Sequence, residues 1–396
     1  MLQRLLRRRA ETTGIAGQQR KGTAAGAGAG GPPPANGAAG GTPEKRAAAP
    51  AGADTEDSDT PRMPRILRAL IRRIRGIEAK REAPLPDVEI APEIAPALLP
   101  GDGQFVAGSY ANFAGMRNFR LYIPGSYRGQ ALPLIVMLHG CKQSPEDFAA
   151  GTRMNVIAEE LGCFVAYPGQ PKYANASKCW NWFSPRHQHR GRGEPSIIAG
   201  ITRRIIREYG IDASRVYVAG LSAGGAAAAV MAATYPDLYA AAGIHSGLAR
   251  GAARNVPTAF GAMRNGNAEI PDLTPLAPGP AGQRMLVPTI VFHGDKDETV
   301  NLRNADQVIE QVRLGGGVTF TEARKQGRAA AGHGYSLTLY RDASGKTMME
   351  RWVVHESGHA WSGGSPAGSY TDPLGPDASR EMVRFFLEHK LPDGLS

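Results

Sequence analysis

Apolar residues from about position 104 onward form short continuous runs that alternate with segments of helical periodicity. Continuous apolar runs are typical of strands that are buried on both faces of a mostly parallel sheet. The predicted strands are Asn118–Ile123, Leu134–His139, Phe164–Tyr167, Val216–Ala219, Ala241–His245, Thr289–Phe292 and Met349–Val354. The predicted helices cover residues 147–161, 195–209, 223–235, 303–313 and 378–389. This alternation predicts an α/β fold, with a mostly parallel central sheet and helices on both faces.

The N-terminal quarter has a different pattern. Residues 10–60 are dominated by Ala, Gly, Pro and Thr, which bury too little apolar surface to offset the entropy of ordering. Residues 62–82 carry apolar side chains at helical spacing opposite a row of arginines, which predicts a basic amphipathic helix before a Pro-rich spacer. We therefore expect a disordered segment over 1–61, the helix and spacer over 62–103, and the α/β domain over 104–391.

Composition and charge exclude several classes of protein. The 396 residues include 46 Lys and Arg against 36 Asp and Glu, a net charge of +10, but no nucleic-acid recognition motif accompanies this charge. No apolar run reaches the ~18 residues that a transmembrane helix needs. The N-terminus lacks the apolar stretch of a secretory or twin-arginine signal, which favours a cytoplasmic protein, whereas the family resemblance described below favours an extracellular one, so the compartment stays open. The segment 62–82 could bind an anionic membrane or a hydrophobic granule, or simply dock on the main domain.

One pentapeptide, Gly220-Leu221-Ser222-Ala223-Gly224, carries the clearest chemical signal. It lies between a predicted strand and an Ala-rich predicted helix, where the chain must turn within a few residues and needs small neighbours at 220 and 224. The hydroxyl of Ser222 would then lie exposed at a helix N-terminus, which favours developing negative charge. An ordinary glycine-rich turn can show the same pattern, but this context predicts a nucleophile elbow like that of α/β-hydrolases.

A nucleophilic serine needs a base and a carboxylate that orients the base, and in α/β-hydrolases the chain order is serine, acid, histidine. The strand at 289–292 runs into an acidic turn, where Asp297 is the preferred acid and Asp295 the alternative. Of the downstream histidines, His359 follows a strand on a loop and is the preferred base, whereas His333 and His355 remain competitors.

The oxyanion of an acyl transfer needs two backbone N–H donors. The predicted donors are the N–H groups of Ala223, which follows the nucleophile, and of Cys141, in the loop after the strand at 134–138. We interpret His139 as a structural residue behind this loop. Three aromatic residues, Trp180, Trp182 and Trp361, could line the cleft for an ester substrate or could simply pack in the core.

Five separated stretches carry a family resemblance. They are LHGCKQSPEDFA (138–149), CWNWF (179–183), VYVAGLSAGGAAA (216–228), FHGDKDETV (292–300) and GHAWSGGSPAGSYTDPLGPDAS (358–379). Together they resemble the polyhydroxybutyrate depolymerase family of esterases over about residues 104–390. The resemblance implies an α/β-hydrolase fold and hydrolysis of carboxylic esters, typically short-chain hydroxyalkanoate polyesters. It also implies the roles of nucleophile, acid and base for Ser222, Asp297 and His359.

The function predicted from the chain is therefore a serine esterase that works through an acyl-enzyme, with no cofactor or metal. His187 and His189 form an isolated pair with no third ligand nearby in sequence, so we expect no metal site there. Extracellular members of the family usually carry a signal peptide and a polymer-binding domain. The sequence predicts neither in this chain, so soluble oligomers or amorphous polymer are the expected substrates. The alternatives are a feruloyl or acetylxylan esterase, and a granule- or membrane-surface protein with an inert hydrolase domain. A bridge between Cys141 and Cys179 is a further hypothesis.

Overall fold

The structure is a computed structural model that describes residues 101–266, 285–330 and 332–392. The predictions for the segment 1–61 and for the helix 62–82 lie outside the described residues. In the described ranges, no helix combines the length and the hydropathy that crossing a bilayer requires.

A ten-stranded sheet organises the described residues. In chain order its strands are β1 (Gln104–Asn112), β2 (Gly115–Ile123), β3 (Leu134–Leu138), β4 (Phe164–Pro168), β5 (Val216–Leu221), β6 (Ala241–His245), β7 (Thr289–Gly294), β8 (Thr321–Arg328), β9 (Gly334–Arg341) and β10 (Thr347–Val354). Their spatial order is β1-β2-β4-β3-β5-β6-β7-β10-β9-β8, and a separate pair joins β11 (Trp361–Ser362) to β12 (Thr371–Asp372). In this spatial order the six central strands β4, β3, β5, β6, β7 and β10 are parallel to one another. Two antiparallel strands lie on each side of them, β1 and β2 on one side and β9 and β8 on the other.

Seven α-helices cover the two faces of this sheet in the described ranges. They are α1 (Pro145–Thr152), α2 (Met154–Leu161), α3 (Gly193–Tyr209), α4 (Ala223–Thr234), α5 (Val256–Asn265), α6 (Arg303–Gly316) and α7 (Ala378–Leu387). Successive residues of β3 point to opposite faces, so Leu134 and Val136 join one core with α3, α4 and α6, while Ile135 and Met137 join another with α1, α2 and α7. The predicted α/β fold, with helices on both faces, is confirmed.

The sequence-based elements differ from the observed ones in a few places. The single helix expected over 147–161 is two helices, because Arg153 between them has a left-handed φ of 56°. Strands β1, β8 and β9 and helix α5 were not predicted. The sequence of β8 is TEARKQGR, largely charged and exposed, so it lacks the apolar run by which the buried strands were recognised.

Candidate active site

Ser222 lies at a sharp turn between β5 and α4. Its φ of 58° and ψ of −119° are strained for a residue other than glycine. Glycine is required on either side: a Cβ on Gly220 would lie 2.4 Å from the carbonyl oxygen of Gly224, and one on Gly224 would lie 1.9 Å from the carbonyl oxygen of Leu138. The strand-to-helix turn expected from the pentapeptide is therefore present, with the serine directly before the helix.

Asp297 and His359 are 62 residues apart and in contact. Nδ1 of His359 lies 2.7 Å from Oδ2 of Asp297, whose side chain is fully buried. The other carboxylate oxygen accepts the N–H groups of Thr299 at 2.9 Å and Val300 at 2.8 Å. Burial opposes ionisation of Asp297, but the hydrogen bond and charge of His359, with a backbone hydrogen bond from Val300, lower its pKa below the usual value. The carboxylate is thus ionised and fixes the ring of His359.

The sheet topology explains this meeting. Strands β7 and β10 are parallel neighbours, with Gly294 paired to Val354, so the loops that follow them leave the same sheet edge side by side. The loops are then joined directly, because Lys296 donates its N–H to the carbonyl of Ser357 at 3.0 Å. A side chain at 294 would collide with that carbonyl, since a Cβ there would lie 2.2 Å from it.

The competing acid and base candidates lie outside this group. Nδ1 of His355 is 3.0 Å from Oδ2 of Asp295, and Nε2 of His355 is 3.0 Å from Oγ of Ser336. His333 instead lies beside Asp372, at 3.3 Å. Ser336, His355 and Asp295 therefore form a separate Ser–His–Asp group. Neither Asp295 nor His355 hydrogen-bonds to Asp297 or His359 through its side chain.

The two predicted oxyanion donors are free to bind a ligand. Neither the N–H of Cys141 nor that of Ala223 donates to another described residue. Nε2 of His139 accepts the N–H of Gln170 at 3.0 Å, and its Nδ1 lies 2.7 Å from the carbonyl oxygen of Gly140. Because a trans peptide points its N–H opposite to its carbonyl, this hydrogen bond also fixes the direction of the Cys141 N–H. Burial lowers the pKa of His139 to about 4, so the ring is neutral.

A polar network that was not predicted holds the same loop. The side-chain oxygen of Gln143 accepts the N–H of Gly140 at 2.8 Å. Its amide nitrogen donates to Asp147 at 2.9 Å and to the carbonyl of Ser369 at 3.0 Å. The sequence offers one hint, since Gly140, Gln143 and Asp147 all belong to the stretch 138–149, but Ser369 is 226 residues away from Gln143.

A disulfide joins Cys141 to Cys179, with Cα atoms 4.2 Å apart. The hypothesis of this bridge agrees with the structure, and Cys163 is free and buried. The bridge ties the loop after β3 to the segment that precedes Trp180. Both bridged residues line the cavity described below.

Two buried histidines support the elbow and the acid. The carbonyl of His245, at the end of β6, accepts the N–H of Ser222 at 2.9 Å, and its ring stacks on Trp361. Burial, with smaller contributions from His293 and His359, lowers the pKa of His245 to about 3, so it is neutral.

The second, His293, lies beside the acid. Its Nε2 is 2.7 Å from the carbonyl oxygen of Val300 and 3.4 Å from Oδ2 of Asp297. Burial lowers the pKa of His293 more than the neighbouring Asp297 raises it, so the ring is neutral and donates to Val300. The buried ring of His293 therefore packs beside the carboxylate of Asp297.

A cavity of about 660 Å³ opens at this end of the sheet, and both Ser222 and His359 line it. One side is apolar and includes Trp182, Phe183, Leu248, Phe260 and Met263. The side chain of Trp182 therefore lies where the sequence placed it, at the cavity wall.

The prediction that Trp180 and Trp361 line the cleft is wrong. Both are in the core, with exposed fractions of 0% and 1%, and neither lines the cavity. Trp361 packs between Phe148 and His245 and donates its indole N–H to Oγ of Ser379. The position of each ring depends on packing partners that are distant in sequence.

Among the described residues, no group of three or more His, Cys, Asp or Glu side chains could hold a metal ion. His187 instead accepts the N–H of Glu194 on its Nδ1, at 3.0 Å.

Comparison with known proteins places this site in context. The model of the family described as Esterase PHB depolymerase matches residues 117–332, which contain Ser222 and Asp297 and end before His359. Poly(3-hydroxyalkanoate) depolymerase C of Paucimonas lemoignei is 33% identical over 245 residues, 60% of this chain and 57% of that protein. Feruloyl esterase B of Neurospora crassa is 32% identical over 222 residues, 53% of this chain and 73% of that protein.

Among solved structures, the acetyl xylan esterase from Aspergillus awamori has a similar fold. Its TM-score is 0.57 at 21% identity, and the match covers 73% of this chain and 100% of that one. At this identity the likeness concerns the fold alone.

Proposed function

The chain belongs to the Esterase PHB depolymerase family, as its motifs predicted, and on that premise we propose that it is a serine esterase acting through an acyl-enzyme. The chain spans 57% of the length of the depolymerase it matches, so the activity and the substrate are argued here from the site itself. The proposed nucleophile, base and acid are Ser222, His359 and Asp297.

The proposed mechanism follows from the hydrogen bonds. Because Nδ1–H of His359 donates to Asp297, its Nε2 carries the lone pair that can take the proton of Ser222. The serine oxygen attacks the ester carbonyl, and the N–H groups of Cys141 and Ala223 hold the resulting oxyanion. The protonated His359 gives its proton to the leaving alcohol, and water activated by the same ring then releases the acid.

One observation carries this proposal. Ser222 and His359 line the same cavity, and the ring of His359 is anchored by a buried carboxylate 2.7 Å away. Cys141 and Ala223, whose N–H groups donate to no other described residue, line the same cavity, and the serine directly precedes a helix N-terminus. An inert hydrolase domain has no need for this combination, which supports the enzymatic reading over a purely structural one.

Hydrolysis of p-nitrophenyl butyrate tests the proposal. The full chain is expected to hydrolyse it, and a fluorophosphonate probe is expected to label Ser222, identified by peptide mass spectrometry. Absence of both turnover and labelling in folded protein would favour the inert alternative.

For the substrate we propose esters of short hydroxyalkanoic acids, as polymer or oligomers. The apolar wall formed by residues such as Trp182 and Phe260 suits the hydrocarbon of such a chain. A feruloyl or acetylxylan esterase is the second candidate, favoured by the similarity to feruloyl esterase B. The ratio of kcat/KM for hydroxybutyrate oligomers to that for feruloylated sugars separates the two.

We also propose, from the sequence pattern alone, that residues 62–82 bind the surface of polyester granules. Replacing Leu70 and Ile74 by Asp in the full chain should abolish cosedimentation with amorphous polymer and spare hydrolysis of p-nitrophenyl butyrate. Unchanged cosedimentation would refute the anchor.

A further inference from the structure

The cavity beside Ser222 also has polar lining residues. Lys142, Gln143, Asn175 and Ser177 line it, from the two segments that the disulfide joins. Among the described residues that line the cavity, Lys142 is the one permanent cation, and no Asp or Glu lines it. An apolar site with a single unbalanced positive charge favours ligands that combine hydrocarbon with one anion.

Lys142 is held in place by its backbone. Its φ of 69° is left-handed, and its N–H donates to the carbonyl of Ser177 at 2.7 Å. The preceding residue, Cys141, is bound covalently to Cys179. Because the disulfide holds Cys141 and a backbone hydrogen bond holds Lys142, the ammonium group moves only through rotation of the flexible lysine side chain.

The charge of this lysine is not used inside the described part of the chain. No described carboxylate lies within ion-pair distance of it, whereas half of the described arginines are paired with an Asp or Glu. The nearest carboxylates along its own loop are engaged elsewhere: Glu146 binds Arg120, and Asp147 binds Gln143. An incoming anion therefore has no competitor for Lys142 among them.

We propose that Lys142 binds the free carboxylate at the acid end of a hydroxyalkanoate oligomer, and so directs hydrolysis to the last ester bond of the chain. This inference rests on the proposed esterase function. In such an oligomer the leaving alcohol of each ester bears the next carboxyl group a few bonds away. That group is a free carboxylate only at the acid end, and elsewhere it is esterified and uncharged.

The site geometry fits this assignment. Lys142 follows Cys141, whose N–H is proposed to hold the oxyanion. The side chain of Lys142 therefore extends from the loop that is proposed to contact the reacting carbonyl. Hydrolysis of the last ester adds one water, breaks the bond between acyl carbon and alkoxy oxygen, and releases one hydroxyacid monomer. His359 supplies the proton of the departing hydroxyl group.

The test compares a hydroxybutyrate trimer with a free acid end and the same trimer capped as its methyl ester. The free-acid preference is the ratio of the two kcat/KM values, measured for the wild type, Lys142→Gln and Lys178→Gln. Lys178 is the matched control: it flanks the other cysteine of the bridge, is partly buried, has a similar φ of 54°, and does not line the cavity.

We expect the wild type to prefer the free acid about fivefold, the upper range for a partly exposed ion pair, and to lose the preference at high salt. Lys142→Gln should bring the ratio close to one, and Lys178→Gln should leave it near the wild-type value. A wild-type ratio of one or less, or equal losses in both variants, would overturn the proposal. In either case hydrolysis of the capped trimer would still uphold the esterase function.

A second experiment tests whether the carboxylate that Lys142 binds belongs to a hydroxyalkanoate or to an acidic sugar. 3-Hydroxybutyrate should inhibit hydrolysis of p-nitrophenyl butyrate more strongly than glucuronate does, and Lys142→Gln should weaken that inhibition. Stronger inhibition by glucuronate would transfer the site to acidic sugars and overturn the assignment to hydroxyalkanoates.

Discussion

Two groups of the described chain, each with a serine, a histidine and an aspartate, differ in their surroundings. In the first, His359 contacts Asp297 and shares a cavity with Ser222. In the second, His355 lies 3.0 Å from Asp295 on one side and 3.0 Å from Ser336 on the other. Judged by side-chain hydrogen bonds alone, the second group is the more complete, because its histidine is bonded to both the serine and the aspartate.

The surroundings of the two serines differ. Ser222 stands between a strand and a helix, with unused N–H groups nearby. Ser336 lies inside β9, which pairs with β8 on one side and β10 on the other, so no helix N-terminus follows it. None of the second group lines the large cavity.

The acids differ as well. The side chain of Asp297 is fully buried, whereas that of Asp295 is about a quarter exposed. A buried carboxylate acts on its histidine with little screening, while an exposed one is weakened by water. Acyl transfer needs oxyanion donors and room for a substrate as well as the three side chains, and the second group does not line the cavity that Ser222 and His359 share.

The strongest test of this contrast removes each serine. Ser222→Ala should lower kcat/KM for p-nitrophenyl butyrate by about 10⁴–10⁶-fold, because the nucleophile is lost and only binding and the oxyanion donors remain. Ser336→Ala should retain activity within about twofold. A large loss in Ser336→Ala with Ser222→Ala still active would reverse the roles of the two regions.

The acids give the next largest difference. Asp297→Asn should lower kcat by about 10³–10⁴-fold, because the amide no longer fixes the ring of His359 or stabilises its charged form. Asp295→Asn should cost less than about tenfold, through the loop N–H of Glu356 that Asp295 accepts at 2.8 Å. Steady-state kinetics on both variants, with circular dichroism to verify folding, decides between them.

Acidification should destabilise the first region through its buried histidines. The folded pKa values of His139 and His245 are about 4 and about 3, against about 6.5 when unfolded. Between these values the unfolded chain binds more protons, so stability is lost as pH falls below about 6.5. Each histidine should cost about 2 kcal/mol at pH 5.

Urea unfolding from pH 7 to pH 5 measures this loss, and His139→Gln should make the dependence on pH shallower. An unchanged slope in the variant would mean that His139 is protonated in the folded protein.

The smallest expected effect concerns the loop behind the oxyanion. Gln143→Met leaves the buried N–H of Gly140 without its acceptor, which should lower the free energy of unfolding by about 1–3 kcal/mol and kcat about tenfold. Gln326→Met, opposite Ser336 in the β8–β9 pair, is the matched control and should change neither. Equal effects in both would show that Gln143 has no special part in holding the loop.

Local patterns in the sequence were enough to predict the elbow and the central strands. The strand, the two glycines and the Ala-rich helix around Ser222 are contiguous, and their backbone geometry depends mainly on near neighbours. Strands β3 to β7 were recognisable because burial on both faces requires continuous apolar runs. The same reasoning missed β8, an antiparallel strand at the edge of the sheet, where exposure permits charged residues.

Only the tertiary structure could separate the two Ser–His–Asp groups. Asp295 and Asp297 are two residues apart, and His355 and His359 are four apart, so the sequence could prefer one pairing but could not exclude the other. The register of β7 against β10 determines which residues of the two loops that follow these strands come into contact. The burial of Trp180 and Trp361 likewise depends on packing partners far along the chain. Residue types and local turns are encoded by neighbours, whereas distances between loops arise only when the sheet brings distant strands together.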